Sequence, residues 1–375
     1  MTSLEYGIAA CETMMRKFKA QDLPPANHFH YHQGVFLSGM EKIYQICKDE
    51  RYFNYIKDWV DSLIDEEGNV KEHIGSKDVL RLGASENFLD YGFAQLDDIQ
   101  PGVLLYPLFD KTKDPKYEKA IHKLVPFVLN FPRNRVGGLW HKLRYPSQMW
   151  LDGLYMGGPI CAEYGKRYNR KEYTELTIDQ ALLMRKHTED KKTGLWFHAW
   201  DASGRAAWAD PKTGLSPEFW GRSIGWVPVA VLQDLEFIDK DNPRRKDLEK
   251  LVRDLLVALV PYQGEDGRWY QVTDKVSDPK NWVENSCTCL YVAAISMAVR
   301  MGILEEKYLP VAKKGYDGLM ASITFEGEDI QIGNVCVGTG VGNLEHYYAR
   351  ATSTNDLHGV GSFLIMCAEC AKRNW

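Results

Sequence analysis

Six stretches of this chain are apolar on every side and rich in small residues, and they constrain its fold more than any other feature. They begin near Gly34, Gly102, Gly153, Gly225, Thr288 and Gly361, at separations of 51 to 73 residues. Gly225-Trp-Val-Pro-Val-Ala-Val-Leu and Gly361-Ser-Phe-Leu-Ile-Met-Cys-Ala are two of them. A helix with no polar face has to be covered all round. Between these stretches lie ordinary amphipathic helices. Tyr117, Ile121, Leu124, Val125 and Val128 share one face of a helix predicted over 117–129, and Leu248, Leu251, Val252, Leu255, Leu256 and Leu259 do so over 247–259.

Each period has room for one buried helix, one amphipathic helix and their loops. The arrangement that covers six buried helices is an inner ring sheathed by an outer ring. An open solenoid would need polar terminal repeats, whereas the last segment, Phe363 to Cys370, is apolar. The expectation is an all-α protein, an (α/α)6 barrel. No Pro/Gly/Ser linker divides the chain, so residues 1–375 are read as a single domain.

Composition narrows the partners. Lys and Arg number 46 against 51 Asp and Glu, a net charge of -5, which gives no electrostatic footprint for nucleic acid. No apolar run approaches the ~20 residues of a membrane span. The opening Met-Thr-Ser-Leu-Glu-Tyr-Gly lacks the basic and apolar regions of a secretory signal, so a cytoplasmic protein is expected. Eight cysteines fall in apolar surroundings. Cys367-Ala-Glu-Cys370 has redox or zinc spacing but no second ligand pair, so all are read as free core thiols. The 11 Trp, 20 Tyr and 14 Phe are an excess that suits a ligand with flat apolar faces.

Chemistry should lie in the loops that feed the buried helices. Gly138-Leu-Trp-His, Gly194-Leu-Trp-Phe-His and Gly267-Arg-Trp-Tyr read as tight turns, each presenting a Trp and a polar residue at one mouth of the ring. Asp152 opens a buried helix beside Trp150. It is either a first-turn acid that stabilises the helix or a general acid/base whose pKa burial raises. Asp97 and Asp98 repeat the arrangement before Gly102. Arg222, between Trp220 and Trp226, is either an anion-binding fork or a cation–π and ion-pair strut. His28, His30 and His32 would share one face of a strand, but no second ligand segment accompanies them, so no metal is expected. Asp356 and His358 precede the last buried helix as caps or as site wall.

Trp150-Leu-Asp-Gly-Leu-Tyr-Met156, Phe219-Trp-Gly-Arg-Ser-Ile-Gly-Trp226 and Asn355-Asp-Leu-His-Gly359 together resemble the unsaturated rhamnogalacturonyl hydrolases of glycoside hydrolase family 105. They resemble the unsaturated glucuronyl hydrolases of family 88 less closely. The likeness runs from Tyr31-His-Gln-Gly34 to the last helix and implies an (α/α)6 barrel. It also implies a small oligosaccharide substrate ending in a 4,5-unsaturated uronate, and no cofactor. By this resemblance Asp152 protonates C4 and guides water to C5, with an apolar wall (Trp150, Tyr155, Met156) keeping it protonated. Asp97 is the second active-site acid. His141, Lys142, Met156, His198, Trp220, Arg222 and Trp226 bind the unsaturated sugar, Arg222 and His198 taking its carboxylate and hydroxyls.

Three other readings compete. A sugar 2-epimerase on the same toroid would use His198 and His358 as paired bases. An ordinary glycosidase would use two working carboxylates. A binding scaffold would leave the ring open.

Overall fold

The computed structural model describes residues 1–71 and 95–375, and among them are thirteen α-helices and three two-stranded ribbons. Six helical elements form the inner ring: α2 (Tyr31–Cys47), the 3-10 turn Gln100–Leu104 running into α4 (Leu105–Thr112), α6 (Asp152–Arg167), α8 (Gly221–Phe237), α10 (Asn285–Arg300) and α13 (Leu357–Ala371). These are the six apolar segments of the sequence. Every residue of α10 but its last is buried, and so is nearly all of α13.

Neighbours in sequence pack side by side, and α13 closes the ring against α2. The sheath is α1 (Ser3–Lys17), α3 (Glu50–Leu63), α5 (Pro115–Asn130), α7 (Lys171–Thr188), α9 (Arg245–Leu259) and α11 (Leu309–Ala321), each lying on an inner helix. The predicted helices over 117–129 and 247–259 are α5 and α9, with the expected faces buried. A short thirteenth helix, α12 (Leu344–Tyr348), stands outside the repeat.

Polar caps fix where the inner helices start. Glu284 accepts from Cys287 N at 2.6 Å to open α10, and Asp356 caps α13 by accepting from His358 N. The Gly-Trp turns are tight as expected. Gly194 and Gly267 have φ of +76° and +92°, and a Cβ on Gly267 would lie 2.2 Å from the Lys314 carbonyl. The outcome for the tryptophans differs. Trp196 and Trp269 are buried in the core between the rings, because an indole directly after such a turn points inward between two helices.

The His28–His32 segment is not a strand. His28 to His30 are irregular, and His32 lies in the first turn of α2. No helix among the described residues is long and apolar enough to cross a membrane. All eight cysteines are free and seven are buried.

Candidate active site

The N-termini of the inner helices converge on one mouth, and the loops before them carry the polar residues. Asp152 is the first residue of α6, and its predecessors Gln148–Trp150 (β1) pair antiparallel with Ala199–Asp201 (β2). That ribbon brings His198 alongside, with its Nε2 3.2 Å from Asp152 Oδ2. His198 Nδ1 lies 2.7 Å from the Tyr347 hydroxyl, whose oxygen accepts from Gly342 N. The Tyr347 proton therefore points at Nδ1, and the neutral imidazole carries its own proton on Nε2, toward Asp152. The result is a directed chain, Tyr347 to His198 to Asp152, wholly inside the protein.

Asp97 sits in the 3-10 turn Leu96–Asp98, and a backbone bridge from Gln95 to Lys142 places it against the 141–142 loop. Its Oδ2 accepts from Lys142 Nζ at 2.7 Å, and its Oδ1 lies 3.3 Å from His141 Nε2. Burial raises its carboxyl, but Lys142, His141 and His30 more than reverse this and hold it well below the usual carboxylate range. Asp98 is engaged with Gln95 at 3.0 Å and lies 4.0 Å from His30.

Trp150 ties the two acids together. Its ring stacks on His141 at 4.6 Å and 18°, stacks on Tyr145, and meets His198 edge-on at 5.5 Å. His198 in turn lies 4.6 Å from Trp220. The indole of Trp220 is fixed by a 3.0 Å bond to Gln271 Oε1. Thus Asp152, Asp97, His141, Lys142, His198 and Trp220 come together. Met156 and Trp226 lie deeper: both are buried, and Trp226 packs on Tyr155 at 4.4 Å.

Two expectations change here. The apolar wall was expected to keep Asp152 protonated. Burial does raise its carboxyl, but the hydrogen bond from His198, with the His141 ring nearby, outweighs it and the net shift is downward. Arg222 was expected to present an open fork, yet it is 2% exposed and lies over Trp220 at 4.5 Å. Its Nη1 donates to Cys336 O at 2.6 Å and its Nη2 to Val337 O at 3.0 Å, with Glu284 at 3.9 Å. It holds the Val335–Cys336 strand (β3) against the start of α8, the strut role that its flanking tryptophans also allowed.

His358 donates from Nε2 to the same Cys336 carbonyl at 3.0 Å, and its Nδ1 lies 2.6 Å from Asp356. His32, Asp356 and His358 each offer a ligand atom within 4.8 Å of the others. His28 and His30 are not part of that trio, so the three-imidazole face read from the sequence does not form. With both ring nitrogens of His198 and of His358 facing protein partners, neither has the free base that a paired-histidine epimerase requires.

Sequence reasoning missed Tyr347 and Gln271. Tyr347 belongs to α12, outside the helical repeat, and Gln271 follows a Gly-Arg-Trp-Tyr turn in which the aromatics drew the attention.

Among the described residues twelve helical elements form a double ring with buried acids and aromatic rings at one mouth, an arrangement shared with known glycoside hydrolases. The family model described as Glycosyl Hydrolase Family 88 matches residues 8–374, and the chain belongs to that family of glycoside hydrolases. It is 27% identical over 323 residues to the unsaturated rhamnogalacturonyl hydrolase YesR of Bacillus subtilis, covering 84% of this chain and 81% of that one. A solved glycoside hydrolase from family 105 of C. acetobutylicum superposes with a TM-score of 0.88 at 30% identity, covering 98% and 99% of the two chains. The unsaturated glucuronyl hydrolase of Bacillus sp. GL1 shares the fold, with a TM-score of 0.63 at 15% identity over 90% of this chain and 85% of that one.

Proposed function

We propose that this protein hydrolyses lyase-generated oligosaccharides at a terminal 4,5-unsaturated uronic acid, with unsaturated galacturonyl-rhamnose as the preferred substrate. The observation that carries the reading is the inequality of the two acids. Both oxygens of Asp97 are engaged with other side chains, by Lys142 and His141, whereas among the described residues the side-chain partner of Asp152 is His198, at Oδ2. A retaining or inverting glycosidase needs two working carboxylates. Hydration of an enol ether needs one that gives a proton and takes one back.

In this mechanism Asp152, as the acid, delivers its proton to C4 of the double bond. The resulting carboxylate takes a proton from water as the oxygen of that water bonds to C5. The hemiketal so formed opens, breaking its bond to the ring oxygen, and the neighbouring sugar leaves from C1. His198 holds Oδ2 in place throughout, and Tyr347 keeps His198 in the tautomer that does so. Asp97, through Lys142 and His141, fixes the opposite wall, Trp150 lines the sugar site, and Trp220 backs His198 from within the protein. Arg222 contributes its charge from behind the 335–337 segment, and Met156 and Trp226 shape the floor beneath. Family likeness to YesR supports the galacturonyl-rhamnose end, and the free thiols support a single-domain enzyme of the reducing cytoplasm.

The test is a screen of lyase digests, pectic and glucuronate-containing, followed by the ultraviolet absorbance of the conjugated uronate. Absorbance should fall fastest with galacturonyl-rhamnose. Loss only with glucuronyl ends would overturn the substrate, and no loss with any unsaturated uronide between about pH 4 and 8 would overturn the reaction. Asp152→Asn should keep the fold and abolish turnover.

A further inference from the structure

The joint between the two inner helices that carry Asp152 and Arg222 holds an acid that the hydrolytic reading does not use. Asp234 lies near the end of α8 and is 3% exposed. Its carboxyl faces Gly158 of α6, where a Cβ would lie 3.1 Å from Oδ2 and 3.4 Å from Oδ1. Glycine at 158 is thus what lets the carboxyl rest against the neighbouring helix. Beside it is a cavity of about 20 Å³, whose lining includes Gly153, Gly157, Gly158, Thr177, Gln180 and Asp234. That is room for about one water molecule.

Nothing around this carboxyl sustains a charge on it. Its Oδ1 has no hydrogen-bond partner among the described residues. The polar neighbours on α7 are engaged elsewhere. Thr177 donates to Thr174 O at 2.9 Å, while Gln180 accepts from Leu139 N at 2.8 Å and donates to Gly137 O at 3.1 Å. From α6 the titratable group that faces Asp234 is Cys161, a buried thiol that burial and this acid both push up. No cation of α6, α7 or α8 offsets the loss of water. Burial acts alone and pushes the Asp234 carboxyl well above the ordinary carboxylate range.

A carboxylate is costly to bury unless water or donors reach both of its oxygens. The cavity has room for too little water to do this, so ionisation requires α6 and α8 to part. We propose that Asp234 is a pH-sensitive latch: as the neutral acid it lets α8 close on the glycines of α6, and as the carboxylate it forces the two helices apart. Asp152 opens α6, and Trp226 of α8 packs on Tyr155 of α6 at 4.4 Å, so parting the pair shifts the frame of the mouth. The device is independent of which sugar is hydrolysed. In the unfolded chain an aspartate ionises near ~3.9. The native acid keeps its proton to higher pH, so the native state binds the extra proton. The stability tied to that proton is complete below about pH 4 and falls as pH rises, by about tenfold in the folding constant per unit, until the native acid ionises too.

The experiment is a pH series on the full chain from about pH 5 to 10, with denaturant titration for the folding constant and hydrogen exchange for α6 and α8. Asp234→Asn keeps the shape and cannot ionise, and Asp234→Ala removes the group. Relative to either, the wild type should lose about tenfold in folding constant per pH unit over the lower part of the series. As the native acid ionises, exchange over 152–167 and 221–237, corrected for its intrinsic rate, should rise reversibly in the wild type only. Carbon-13 NMR of aspartate-labelled wild type should show a protonated carboxyl at about pH 7. Three results would each overturn the proposal. One is a wild-type stability curve parallel to those of the variants. Another is no rise in exchange over α6 and α8 anywhere in the series. The third is a wild type with no protonated aspartate at about pH 7. The last two need no variant, so they decide the matter even where a substitution prevents folding.

Discussion

Replacing Tyr347 by phenylalanine removes one oxygen from the chain that ends on Asp152. The ring should stay where it is, since its contacts with Trp220 and His198 are made by its face and edge. What is lost is the 2.7 Å bond to His198 Nδ1. A buried acceptor that loses its partner costs about 1–3 kcal/mol. His198 can recover part of this by moving its proton to Nδ1, but Nε2 then turns a lone pair on Asp152 Oδ2, 3.2 Å away. Either way the support for the acid weakens by that amount, which corresponds to roughly a 5- to 150-fold fall in kcat.

The pH dependence gives a second readout. The hydrogen bond from His198 is what holds Asp152 down against burial. With that hold loosened the carboxyl titrates at higher pH, so the alkaline limb of kcat, where the acid loses its proton, moves upward. The assay is loss of ultraviolet absorbance on an unsaturated uronide across about pH 4 to 8, with a thermal melt to verify the fold. Wild-type kcat, or a uniformly lower kcat with an unmoved limb, would show that Tyr347 only packs.

Other outcomes follow from the same geometry. Arg222→Met removes two charge-assisted bonds to the Cys336 and Val337 carbonyls, each worth about 1.5–3 kcal/mol, so a melt should drop by several degrees; an unchanged melt would contradict the strut role. Asp97→Asn leaves the nearly buried Lys142 unpaired, at a cost of about 3 kcal/mol in denaturant titration, and Asp97→Asn with Lys142→Met should recover most of it. Burial pushes His141 down to about 4, while the unfolded chain protonates near 6.5. Stability should therefore decline as pH falls from about 6.5 to 4, by about 3 kcal/mol from this group, and His141→Gln should flatten that slope. Calorimetric binding of an unsaturated uronide to Asp152→Asn and to wild type, in buffers of different ionisation enthalpy, should show proton uptake in the wild type only.

The ring architecture was legible because burial on every side leaves a mark on sequence: α10 and α13 have no polar face to be mistaken for anything else. Asp152 was legible as an acid opening such a helix. Its protonation state was not, because that is set by His198, 46 positions away and delivered by β2 pairing with β1. Arg222 shows the same limit. Its tryptophan neighbours in sequence left a cation–π strut open beside the anion-binding fork, but the carbonyls that occupy the fork come from residues 336 and 337, and no local pattern reports them. Tyr347 left no signal at all, since a short helix outside the repeat carries no period to read.

The downward shift of Asp152 looks adverse for an acid catalyst, yet the electrostatics of the mouth give it a use. Around the site stand Asp97, Asp152 and Asp356, all held below their ordinary range, with Lys142 committed to Asp97 and Arg222 to backbone carbonyls. Beside them His30, His141 and His198 are held neutral by burial. In a mouth so arranged both of these cations are already taken by protein partners. When the uronate does enter, its carboxylate is one more anion beside Asp152, and a like charge at close range raises a carboxyl pKa by one or more units. In the proposed reaction the substrate would thereby favour the protonated form of Asp152, the acid that hydrates it. An uncharged sugar of the same shape would not, so under the proposed reaction selection for the unsaturated uronate would arise at the proton as well as at the binding surface, without an open arginine fork.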